Sequence, residues 1–169
     1  MSYGQVLVKR IQEEKARGVY ADPKQKYYYL QQEVDDVQFQ VRFKDIEKLG
    51  IVLDYLSVQK LSPILDVSLI NRKLEEQAAA VEQNITFLLE GFKLIEMDLQ
   101  NKRAQLRSYP PYTKENSKYY YEIMLDEGTK AHFQRYEYSM TDKRYQKITS
   151  QLTIEIFERL VDELTALLK

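Results

Sequence analysis

Apolar residues along the chain follow two kinds of spacing. Val37, Phe39, Val41 and Phe43 alternate with Gln38, Gln40, Arg42 and Lys44, the period-two pattern of a strand with one buried face. The β-prone run Tyr27-Tyr28-Tyr29-Leu30 precedes it, and Val34-Asp35-Asp36 is the expected turn, although it lacks the glycine of a tight primed turn. These segments predict an antiparallel hairpin over 26–44. A second hairpin is predicted over 117–139. Its strands are Lys118–Leu125 and 130–139, and Asp126-Glu127-Gly128-Thr129 is its turn.

Elsewhere the spacing is three and four. Residues 4–17 read as a short amphipathic helix carrying Leu7, Val8 and Ile11, with Gly18 at its end. Residues 46–60 also read as a helix, capped by Asp45 and carrying Ile46, Leu49, Val52, Leu53 and Leu56. Ser150 is expected to cap a final helix, 150–168, whose stripe is Ile154, Phe157, Val161, Leu164 and Leu168.

The longest pattern starts after Ser62-Pro63. Val67, Leu74, Ala78, Val81, Ile85, Leu88, Phe92, Ile95, Leu99 and Leu106 fit one heptad seam among strong helix formers. It predicts one long helix over 64–107, or a pair broken near Glu90-Gly91. A β-hairpin around Gln100-Asn101 is the rival, and the adjacent apolar pair Leu94-Ile95 spoils its alternation. A helix of that length spans roughly 66 Å, whereas a compact chain of 169 residues is about 40 Å across. The overshooting seam therefore predicts either self-association or internal packing of the other helices along it.

The expected fold class is thus α+β: two antiparallel hairpins packed with helices around one long central amphipathic helix. Residues 1–169 read as a single domain, with two hairpin–helix halves divided near 61–63 as the variant arrangement. Lys26-Tyr-Tyr-Tyr and Lys118-Tyr-Tyr-Tyr echo each other, but a Tyr-rich chain produces such matches by chance.

Composition narrows the chemistry more than it defines it. Lys plus Arg is 25, Asp plus Glu is 26, and the net charge of −1 excludes a strongly basic polyanion binder. Cysteine is absent and histidine occurs once, which removes thiolate nucleophiles, thiolate metal sites and two-histidine metal sites within one chain. No stretch is apolar enough for a membrane span, and Met1–Ile11 lacks the form of a secretory signal, so a cytoplasmic protein is expected. His132, with Glu122 or Asp126 across the hairpin, has no nucleophile beside it and reads as a sheet-surface histidine. No glycine-rich phosphate loop or nucleophile elbow is present. No catalytic residue, cofactor or metal is expected.

Two binding readings remain. The first is a non-enzymatic interaction or assembly protein, a scaffold or adaptor. It pairs with a second copy or another helical protein through Val81, Ile85, Leu88, Phe92, Ile95 and Leu99. The alternative is a nucleic-acid-binding accessory protein. Residues 101–147 carry ten basic against six acidic side chains and eight of the fourteen tyrosines; Lys118, Arg135, Lys143, Arg144, Tyr119 and Tyr136 are its candidates. A third, weaker reading places a ligand in a tyrosine-lined pocket under the sheet.

Overall fold

A computed structural model describes all residues from Met1 to Lys169. Three helices, α1 (Tyr3–Arg17), α2 (Ile70–Asn84) and α3 (Ile154–Leu168), accompany ten strands. The strands are β1 (Tyr28–Val34), β2 (Val37–Ile46), β3 (Gly50–Lys60), β4 (Phe92–Asp98), β5 (Arg103–Ser108), β6 (Tyr112–Lys114), β7 (Ser117–Asp126), β8 (Lys130–Ser139), β9 (Arg144–Ile148) and β10 (Ser150–Thr153). All belong to one antiparallel sheet whose main order is β1-β2-β3-β8-β7-β5-β4.

The architecture has an approximate internal duplication. α1 leads into the meander β1-β2-β3, and α2 leads into β4-β5-β7-β8. The last strand of each meander pairs with the other at the centre, with Leu56 opposite Phe133 and Val58 opposite Ala131. Beyond this short ladder β3 and β8 part. β10 takes the edge of β3, with Ser150 opposite Leu53, and β9 takes the edge of β8, with Arg135 opposite Ile148.

Local chemistry sets the helix ends. Ser2 and Gln5 form a reciprocal capping box at α1, and Gly18 closes it at φ +71°. Thr153 caps α3 by accepting from the Ile156 N–H at 3.1 Å. The three helices lie on one face of the sheet. A single cluster of 34 buried apolar residues joins them to the inward side chains of the strands, among them Phe39, Phe43, Leu56, Leu106 and Phe133.

The expected α+β fold with a long central helix is incorrect. α2 stops at Asn84, and 92–108 forms the antiparallel pair β4–β5. The rival hairpin reading was the right one there. The cause is a bulge between Leu94 and Glu96. It inserts Ile95, so Leu94 and Met97 both pack against the core at a three-residue step that imitates a helix. The predicted helix at 46–60 is incorrect for the same reason. The β2–β3 ladder shifts register around Phe43, leaving Asp54 without a partner, so Leu53 and Leu56 both point inward three residues apart. Ser150 lies in β10 rather than capping α3. The two predicted hairpins are present as β1–β2 and β7–β8, joined into the one sheet through β3.

Candidate functional site on the uncovered sheet face

Side chains alternate across a strand, so the residues between the buried ones line the opposite face, which no helix covers. They are chiefly tyrosine, arginine and glutamine. Tyr29 lies opposite Arg42 between β1 and β2, and Arg42 lies opposite Tyr55 between β2 and β3. The Arg42 guanidinium sits over two rings, 5.3 Å from Tyr27 and 5.5 Å from Tyr55. Its charge is balanced by Asp54 at 3.5 Å.

Tyr55 hydrogen-bonds to Nδ1 of His132, and the other ring nitrogen lies 3.1 Å from Oδ2 of Asp126. Arg103 Nε donates to the second oxygen of Asp126 at 2.8 Å. A neutral imidazole satisfies both contacts: it accepts the Tyr55 proton at Nδ1 and donates its own N–H to Asp126. Burial holds the His132 pKa below its ordinary value, with Lys130 adding to the effect and Asp126 opposing it. The trio resembles a proton relay. Neither Tyr55 nor His132 lines any of the five main clefts, of about 130 to 280 Å³. The trio ties β3, β8 and β7 together by hydrogen bonds.

Farther along the face Tyr120 and Tyr136 stack, their centroids 5.6 Å apart and their planes 15° from parallel. The Arg107 guanidinium lies 4.2 Å from the Tyr120 ring centre and 5.9 Å from that of Tyr145. Glu122 approaches Arg107 at 3.7 Å. Burial raises the pKa of Tyr55, Tyr120 and Tyr136, so these phenols stay protonated. The result is a belt of tyrosine and arginine running from β1 to β5. At its β5–β7–β9 end a cleft of about 260 Å³ opens, lined by Arg107, Tyr109, Lys118, Tyr120, Tyr138 and Tyr145.

The sequence candidates fare unevenly. Val81 and Ile85 are fully buried, Leu88 and Phe92 nearly so, whereas Ile95 is 48% and Leu99 36% exposed. They are spread over α2, the loop after it, β4 and its turn, so no pairing seam exists and a coiled coil is not supported. Among the nucleic-acid candidates, Lys118 and Tyr136 lie on the uncovered face. Tyr119 and Arg135 point to the helix side, where Arg135 Nη1 donates to the Tyr121 hydroxyl at 3.2 Å. Lys143 occupies the β8–β9 turn and Arg144 begins β9, both exposed. Strand alternation thus places this set on opposite faces.

Sequence reasoning missed Arg42 and Tyr55 as site residues. Arg42 was visible as an outward position in a clean alternating strand, whereas Tyr55 sat in a segment misread as helix. No helix is long and apolar enough to cross a membrane. The chain matches no family model, no curated protein and no solved structure at a significant level.

Proposed function

We propose that the protein is a non-enzymatic binding protein that receives a partner polypeptide on the uncovered sheet face. This reading keeps an interaction role and replaces the helix seam with the belt. The observation that carries it is the composition and pairing of that belt. Tyrosine and arginine are the side chains that dominate binding energy at protein interfaces. Stacking and hydrogen bonding already restrain Arg42, Tyr55, Tyr120 and Tyr136, so less side-chain entropy is lost on binding. The absence of cysteine fits a cytoplasmic setting.

The pairing also weighs against a polyanion. Arg42 and Arg103 each face a carboxylate, of Asp54 and Asp126. A groove for a phosphate backbone needs cations free to replace counterions.

The test is selection of a displayed random-peptide library on the folded protein, followed by titration of the enriched peptides. Arg42→Ala and Tyr136→Ser are each expected to weaken the selected peptides about tenfold or more, an interface hot-spot effect, while retaining the fold. Enrichment that ignores both variants, or no enrichment, rejects the reading. Tight binding of single-stranded oligonucleotides, lost in the same variants, would replace it with the nucleic-acid alternative.

A further inference from the structure

The belt does not end uniformly. On the β1 side it is flat, whereas on the β5–β7–β9 side it closes into the 260 Å³ cleft. The clefts beside α2 are lined by exposed lysine and glutamate side chains and contain no aromatic ring. The corner cleft is different in kind. Tyr138 and Tyr145 stand 4.6 Å apart, Tyr120 meets Tyr145 edge-on at 6.3 Å, and Tyr109, Ile95 and Pro111 complete an apolar wall. Such walls hold a planar ring by stacking and by exclusion of water.

The polar groups in this cleft point to an anion. Arg107 is stacked on Tyr120 and so presents a fixed guanidinium. Its donors are not used up. Glu122 lies 3.7 Å from Nη2, beyond hydrogen-bond distance, and the arginine side chain remains 29% exposed. Glu122 instead accepts from Gln105 Nε2 at 3.0 Å. Lys118 adds a second cation to the lining, and the Lys93 ammonium stands 4.8 Å above the Tyr109 ring at the rim. Cations therefore exceed carboxylates around an aromatic wall. A guanidinium with free donors suits a carboxylate better than a neutral polar group.

We infer that the corner cleft binds a small planar aromatic acid, one ring bearing a short carboxylate arm. The ring stacks among the tyrosines, and the carboxylate accepts hydrogen bonds from Arg107 with Lys118 as its second cation. At about 260 Å³ the cleft has room for a single ring with a short arm. This inference uses one end of the belt and does not depend on a polypeptide partner.

Ligand-observed saturation-transfer NMR tests it with 3-phenylpropionate, its neutral amide and the aliphatic acid butyrate. Dissociation constants come from titration followed at the tyrosine ring resonances. The aromatic acid is expected to bind about tenfold more tightly than the amide, a factor worth about 1.4 kcal/mol, and more tightly than butyrate. Arg107→Met should abolish the preference for acid over amide. Tyr145→Ala should weaken both aromatic probes several-fold, and Arg72→Gln on α2 should change nothing. If Arg107→Met fails to fold, Lys118→Met, at an exposed position, must still weaken the acid more than the amide. Equal binding of acid and amide, equal binding of butyrate, or no saturation by any probe overturns the inference. Loss of peptide selection with retained acid binding would reject the polypeptide reading alone.

Discussion

The two faces of the sheet are built from the same strands yet carry different burdens. On the helix side Phe39, Leu56 and Phe133 are fully buried and interlock with α1, α2 and α3. On the reverse side Gln40, Tyr55 and Gln134 are only half-buried, and their contacts are with one another and with solvent. The first face is optimised for burial, which is where folding free energy comes from. The second carries large, polar-tipped side chains that stack and hydrogen-bond with one another. Tyrosine and arginine at these positions are what the proposed contact surface would use.

The comparison breaks first on stability. Phe133→Ala should cost about 3–5 kcal/mol, because a fully buried ring leaves a cavity, whereas its sequence neighbour Gln134→Ala should cost about 0.5 kcal/mol or less. Urea denaturation of both variants checks this, and equal costs would dissolve the distinction between the faces. The helix layer allows two finer probes of about 1–3 kcal/mol each. The Gly4 N–H donates to Asp162 Oδ1 at 2.8 Å, and a Cβ at Gly4 would overlap the backbone of Glu158. Gly4→Ala therefore forces α1 and α3 apart. Gln77 is buried and its amide donates to the carbonyls of Gly128 at 2.9 Å and Leu167 at 3.0 Å. Gln77→Met fills the same volume but strands both carbonyls. Thermal unfolding should show a clear loss for each, and neither should affect binding at the belt.

The outward face was partly legible in the sequence, because β2 alternates without interruption from Val37 to Phe43. The ends of the chain were legible too: α1 has a serine cap and a terminal glycine, and α3 a broad apolar stripe. The middle was not, for two reasons. Bulges at Asp54 and Ile95 turned two-residue steps into three-residue ones, so β3 and β4 carried helical spacing. Three of the hairpin turns also lack the usual glycine. Lys102, Glu115 and Lys143 take positive φ of 53° to 56° without being glycine, so those reversals went unmarked, whereas the turns at Asp35 and Gly128 were readable. The cleft was illegible for a third reason. Its walls come from strands that the sheet order, not the sequence, brings together.

The faintest expected effect is a difference in pH response between the two faces. His132 lies on the uncovered face with its pKa lowered from 6.5. In the window between its folded pKa and 6.5 the unfolded chain binds more protons. Stability is therefore full above 6.5 and declines as pH falls toward the folded value. Glu90, beside Arg135 and Tyr121 on the helix side, is shifted the other way. Burial raises its pKa from 4.5, against the opposing pull of Arg135. Its contribution is full below 4.5 and is lost as pH rises through the folded value. His132→Gln should flatten the slope below pH 6.5, and Glu90→Gln should deepen the decline on the acid side. Urea midpoints measured across pH 4.5 to 7 for the two variants separate the contributions. Slopes that move in the same direction in both variants would mean that the two faces do not titrate independently.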